Sequence, residues 1–452
     1  MSSIRRSTCQ GAMHRMLGLL VASALLLACA PAAGASTFEK RPVLFVHGFE
    51  SAGSNFASQA MRFESNGYPH AWVEELDYNS TAAVGNMSEV EKQIEEAIAA
   101  LKQRTGKSQV DVVGHSEGTS VMYHYLAESP KAAEHRASVA AYANLDGQGK
   151  NPGVRTLAVW AGRCGDATCS NPERHMEGAE NVTIPNATHV QTSTSAETFK
   201  QMFNFFRNKL PLHDIVAQKK ILIAGKALEF PQNTGLVGDT VEVWPVNSSG
   251  VRTTTTPLAS IPITDGSEAG GAWGPVAAKA GQRYEFALVQ PARTIHVYKE
   301  PFARSDYAIR LLGSVAIENY TGKNPGSSGA VMIRYEEYWG NQPGENDELL
   351  VNGLNVCTAA LCPWEKEVNA FFAFNWEGKE ESTLNEDPVL SKPPFLQGAQ
   401  VYIPAATPPN ATVAYQLNSR NGGGLRTLNI PNWEGTTSQV EIFWNDFESL
   451  SF

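Results

Sequence analysis

The chain has 452 residues, more than one compact core organises, so its length implies two or three domains. Hydrophobic residues make up 42% and charged residues 18%, a balance that excludes a disordered chain. A net charge of −10, with no basic run interleaved with aromatics, argues against nucleic acid as a partner.

Residues 1–35 read as a secretion signal. Arg5, Arg6 and Arg15 form a basic leader, Met16 to Ala28 is apolar, and Pro31 breaks the run ahead of Ala33-Gly34-Ala35. An apolar stretch of about 13 residues is too short for a stable bilayer span. The expected location is secreted or periplasmic, with the mature chain starting near Ser36. Leu26-Leu27-Ala28-Cys29 also matches a lipobox, so a lipoprotein anchored at Cys29 stays open. Four cysteines lie beyond the leader in two close pairs, read as the disulfides Cys164-Cys169 and Cys357-Cys362. No histidine pair accompanies them, so no metal site is expected, and no cofactor motif is present.

Residues 36–212 alternate strands and helices. Arg41 to Val46 is a continuous apolar run, followed by His47-Gly48-Phe49. Ser88 to Lys107 predicts a helix opened by a Ser88/Glu91 capping box, striped by Val90, Ile94, Ile98 and Leu101, and closed by Gly106. Strands follow at Val110, at Val139 to Leu145, at Thr156 to Trp160 and at Asn181 to Ile184. The helix Ala196 to Leu210 ends the series. This alternation predicts an α/β fold with a parallel sheet flanked by helices. From residue 213 onward short strands with Gly, Pro and Asn turns predict all-β sandwich or barrel modules, divided softly into 213–312 and 313–452.

The chemistry centres on Gly114-His115-Ser116-Glu117-Gly118, between a β-branched run and a helical segment. That context is what a nucleophile elbow requires: a strained strand-to-helix turn that lifts a serine hydroxyl above the sheet. Ser116 is therefore the candidate nucleophile. His189 is the best-placed base, in the loop between the last strand and last helix. Topology leaves the acid open between Asp146, after the strand that follows the elbow, and Asp166, inside the Cys164/Cys169 loop. The backbone N–H groups of Phe49 and Glu117 are the expected oxyanion donors.

Several stretches resemble the α/β-hydrolase lipase family of the archaeal type with a C-terminal β-barrel domain. They are the Arg41-Pro42-Val43-Leu44-Phe45-Val46-His47-Gly48 start, Leu145-Asp146-Gly147, the segment from Thr188 to Phe199, and the Tyr298 and Val351 segments. The resemblance implies Asp146 as the triad acid, an α/β-hydrolase fold, and carboxylester hydrolysis with the β region helping to bind the acyl chain. One departure stands out. The interval from Asp77 to His115 is filled by a helix and a strand, leaving no room for that family's helical lid. The expected function is a secreted serine lipase or esterase acting on lipid or other esters. A polyester depolymerase, or a dead hydrolase that binds a surface or polymer through its β modules, is the alternative. Removing everything after residue 212 is expected to alter chain-length preference more than the chemistry.

Overall fold

The computed structural model describes residues 38–81, 86–165, 168–169, 173–267, 270–313 and 325–447. The leader, Cys29 and Asp166 lie outside them.

Six strands form one parallel sheet: β1 (Val43–Val46), β2 (Val73–Leu76), β3 (Val110–His115), β4 (Val139–Leu145), β5 (Arg155–Ala161) and β6 (Glu180–Ile184). Their spatial order is β2-β1-β3-β4-β5-β6. Helices α1 (Ala57–Ser65), α2 (Met87–Thr105), α3 (Glu117–Tyr123), α4 (Ala132–Ser138), α5 (Gln191–Thr194) and α6 (Ala196–Arg207) accompany it. Successive strand residues point to opposite faces. Val43 and Phe45 accordingly pack with Phe63 of α1 and Phe199, Phe203 and Phe206 of α6. Leu44 and Val46 pack with Val90, Ile94 and Ile98 of α2 and Val121 of α3. This is the parallel sheet flanked by helices that the alternation predicts, and it resembles the α/β-hydrolase fold that the resemblance implies.

Two details of the expected helices differ. α2 begins at Met87 behind Asn86, which makes no side-chain cap, so Ser88 is already helical and cannot act as an N-cap. Its end is as read: Gly106 has φ 70° and donates its N–H to Lys102 O at 2.9 Å. The helix after the elbow is broken, α3 passing into a π-helical turn over His124–Glu128.

The remainder is mostly strand, arranged in several sheets. An eight-stranded sheet runs Ala259–Pro262, Thr240–Val246, Arg283–Val289, Thr294–Lys299, Ser438–Phe443, Ala330–Ile333, Ala370–Phe374, Leu396–Gln400. It draws strands from both sides of residue 313. Ser438–Phe443 lies in its middle, parallel to both neighbours, with Glu441 opposite Val297 on one side and Val331 on the other. A second sheet is built on Lys220–Glu229, a strand the sequence reading passed over, although its exposed and buried residues alternate over its first half. Its neighbour Asp306–Gly313 packs against α1. A third small sheet joins Glu348–Val351 to Thr412–Asn418 and Leu425–Pro431.

In the strand order, β2 lies on one side of β1 while β3 and β4 run to the other. The carboxyl ends of β1 and β3 therefore border a topological switch point, where open α/β sheets place their ligand sites.

Candidate active site

Ser116 follows β3 at that point. Its φ of 53° and ψ of −122° are sparsely populated for a residue with a side chain, and such strain persists only where the surroundings enforce it. They do so on several sides. The Ser116 N–H donates to Leu145 O at 3.1 Å, and Thr119 Oγ1 donates to Ser116 O at 2.7 Å. The flanking glycines are demanded by space. A Cβ on Gly118 would fall on the carbonyl oxygens of Val46 and His47, and one on Gly114 would sit 2.9 Å from Gly118 O. The helix thus meets β1 closely enough that only glycine fits.

Asp146 ends β4, also with a left-handed φ of 53°. Its Oδ2 lies 2.7 Å from His189 Nδ1. Its Oδ1 accepts from Ala161 N–H at 2.7 Å and faces Arg174 Nη2 at 2.6 Å. Burial pushes the carboxyl toward its neutral form. The contacts from His189, Arg174 and the Ala161 amide outweigh burial and hold its pKa below the ordinary value. Asp146 is therefore a buried anion whose remaining acceptor capacity is satisfied. His115 Nε2 lies 3.0 Å from the His189 carbonyl oxygen, tying the elbow to the histidine loop. Burial drives the His115 pKa down to about 3, so it is neutral and serves as a strut.

The loop after β1 closes the other side. His47 is buried and held neutral, burial pushing its pKa down to about 4. Its ring stacks on Tyr78 at 4.3 Å, and Tyr78 Oη donates to His47 O at 2.7 Å. Gly48 brings the backbone against Ser116, where an added Cβ would approach Ser116 Cβ to 2.9 Å. Phe49 follows with 49% of its surface exposed. The Glu117 side chain is half-buried, and desolvation raises its pKa.

Sequence reasoning missed two sets of residues around this centre. Arg174 is one, and no pattern marks an arginine in that segment. The bridged Cys164 and Cys169 lie beside it, with Cys169 Sγ 3.0 Å from Arg174 Nη2. The other set comes from the β region. Thr188 donates to Glu337, and Gln191 Nε2 donates to Glu336 Oε1 at 2.8 Å, so both sides of His189 are gripped. Behind them Arg334, Arg420 and Asp347 complete a buried ionic network. The acidic pair in Tyr335-Glu336-Glu337-Tyr338, set between aromatics, was the available signal. On the Gly48–Ser51 side Asn233 Nδ2 donates to Ser51 O at 2.8 Å and Tyr78 O at 2.9 Å. Arg310 and Lys226 both pair with Asp77, which also accepts the Gly53 N–H at 2.8 Å.

Ser116, His115, His189 and the Gly48–Ser51 loop border one cavity of about 290 Å³. Its far walls come from the β region and are apolar: Phe230, Leu312, Val331, Ile333, Phe372 and Leu396 are among them. Among the described residues a single helix, α2, lies between β2 and β3, so the β region rather than a lid helix walls the cavity.

Cys357 and Cys362, read as a second bridge, stand as buried thiols. Burial and the neighbouring Cys357 raise the pKa of Cys362 well above its usual value and keep it protonated.

His189 of a buried carboxylate–imidazole pair and Ser116 on a strand-to-helix turn thus border one cavity at the switch point of a parallel sheet. A class 2 lipase model matches residues 40–137, a lipase C-terminal domain model matches 219–316, and a further C-terminal domain model matches 316–448. The chain thus carries a class 2 lipase-like segment followed by a lipase-type C-terminal domain. No curated protein matches the sequence. Among solved structures, a lipase from Bacillus licheniformis in propeptide form shares 12% identity, covering 86% of this chain and 93% of that one, with a TM-score of 0.29. A thermophilic esterase from Thermogutta terrifontis shares 15% identity over 37% of this chain and 90% of that one, TM-score 0.26. Phospholipase PlaB from Legionella pneumophila shares 8% over 61% of this chain and 94% of that one, TM-score 0.27. At such scores these likenesses bear no functional weight.

Proposed function

We propose that the chain is an exported carboxylester hydrolase that works through an acyl-enzyme. Ser116 attacks the ester carbonyl, and His189 takes its proton and returns it to the leaving alcohol. Asp146 fixes the imidazole tautomer and stabilises the imidazolium. The Phe49 and Glu117 amides receive the oxyanion, and water then releases the acid. The observation that carries this reading is the Asp146–His189 contact of 2.7 Å in a site that also holds strained Ser116. The apolar β-region wall favours a single acyl chain over a bulky polyester. No group in the reaction requires a cofactor. Covalent labelling by an active-site phosphonate, lost in Ser116→Ala, tests the assignment. Absence of labelling in folded protein would support a dead, binding-only hydrolase instead.

The export reading rests on residues 1–35, and intact mass with N-terminal sequencing tests it. A start near Ser36 supports cleavage without lipid. A start at Cys29 with added acyl mass would show an anchored lipoprotein.

A further inference from the structure

The cavity wall carries one group that apolar acyl binding does not explain. Glu441 borders the cavity, yet it is fully buried, and among the described residues no ion pair reaches it. Its place is set by strand alternation. On Ser438–Phe443, Val440 and Ile442 face the core on one side of the sheet. Glu441 faces the other side, between Val297 and Val331, and Val331 in turn lies beside Phe372. Both Val331 and Phe372 wall the cavity. Oε1 accepts from Gln439 Nε2 at 2.9 Å, whereas Oε2 has no hydrogen-bond partner among the described residues. Two other polar residues of the β-region wall are occupied: Asn369 Nδ2 donates to Arg334 O at 3.0 Å and Tyr335 Oη pairs with Ser54 Oγ at 2.6 Å.

A carboxyl left half-satisfied in an apolar wall is destabilising unless something else completes it. Burial pushes its pKa up to about 8 against the weaker pulls of Arg293 and Gln439, so the neutral acid predominates near neutrality. With Oε1 already an acceptor, Oε2 is the oxygen left to carry the hydroxyl, a donor at the wall of a mostly apolar cavity. What suits it is an acceptor embedded in hydrocarbon.

We infer that Glu441 reads an oxygen substituent, hydroxyl or oxo, carried part-way along the acyl chain of the substrate. The inference rests on the ester-hydrolase reading and narrows it to esters of oxygenated fatty acids. Glu441 is then a specificity determinant, remote from the reacting carbonyl.

The test compares methyl decanoate with methyl decanoates bearing a hydroxyl or an oxo group at successive carbons, so that the alcohol never varies. In the wild type, substitution at one chain position raises kcat/KM about tenfold or more, from a hydrogen bond gained and an orphaned group satisfied. Glu441→Leu abolishes that preference while still cleaving methyl decanoate, and Glu441→Gln, which keeps a donor, retains part of it. Separate hydroxy and oxo series show which substituent is read. Thermal shifts by free decanoic, hydroxydecanoic and oxodecanoic acids give a readout independent of turnover. A Glu441-dependent shift with no ester cleavage would sink the hydrolase reading and keep this site. Ester cleavage without preference at any position, or a preference unchanged in Glu441→Leu, would overturn the inference. A merely more stable Glu441→Leu would then mark the carboxyl as structural.

Discussion

Gln191, two residues beyond His189, donates to Glu336 of the β region at 2.8 Å. With the Thr188–Glu337 bond it makes the histidine loop a shared possession of two parts of the chain. The loop that carries Phe49 is shared likewise, through Asn233 on Ser51 and through Arg310 on Asp77. The chemistry and its support are thus not separable at residue 212.

Truncation after residue 212 should therefore abolish hydrolysis of short and long esters alike. Sequence reasoning alone expects short esters to survive, because every reacting group lies earlier. A milder probe is Glu337→Gln, which weakens the bond to Thr188, expected to lower kcat by about tenfold with little change in KM. Steady-state kinetics on a short ester checks it. An unchanged kcat would confine the β region to substrate binding.

The acid is tested by exchange. Asp146→Asn should cost about 10⁴ in kcat, by analogy with a triad aspartate replaced by its amide. Asp166→Asn should cost little. Arg174→Met should fall between them, since it leaves Asp146 in place but removes the guanidinium 2.6 Å from its Oδ1. A large loss at Asp166 with Asp146→Asn near wild type would reassign the acid.

Gly118→Ala should prevent folding or cost about 1–3 kcal/mol or more, because the new methyl would fall on the β1 carbonyls. Ser116→Ala, by contrast, should fold normally and lose all turnover. Chemical denaturation of the two variants separates space from chemistry.

Two sets of buried groups tie stability to pH with opposite signs. His47 and His115 are buried neutral, with pKa values pushed down to about 4 and about 3. As pH drops from the ordinary imidazole value toward those values, the unfolded chain binds protons that the folded chain refuses, so stability declines. Glu75, Asp111 and Glu441 have the opposite sign, burial pushing them up to about 7, 7 and 8. Between the ordinary carboxylate range and those values the folded chain holds the extra protons, so stability falls as pH rises. Between the ordinary carboxylate and imidazole values the two sets oppose each other, and above the imidazole value of about 6.5 only the carboxyl set acts. Melting temperature should therefore fall as pH rises from about 6.5 to about 8, and Glu441→Leu should flatten that fall.

Much of the hydrolase half was legible because its signals are local. The apolar run at Val43–Val46, the glycines around Ser116 and the stripe on α2 each state their structure within a few residues. Asp146 was harder, because its contacts with His189, Ala161 and Arg174 bring together separate loops. Lys220–Glu229 was passed over although its alternation is readable. The grip of Glu336 and Glu337 on the histidine loop had no readable pattern beyond an acidic pair between aromatics, since each partner lies about 145 positions away. Buried polar networks are specified by where the chain goes, not by periodicity.

The placement of Ser438–Phe443 in the middle of the eight-stranded sheet sets an order of assembly. Thr294–Lys299 and Ala330–Ile333 never touch as neighbours, and the last strand alone joins them. A nascent or nicked chain ending before residue 438 holds two half-sheets with raw edges, a state prone to pair with other chains. Closure of this sheet needs Ser438–Phe443, and the same segment brings Glu441 to the cavity. Loss of the segment from residue 438 onward would then act on solubility and on the cavity together, while the strand-to-helix turn at Ser116, some 320 positions upstream, keeps its sequence intact.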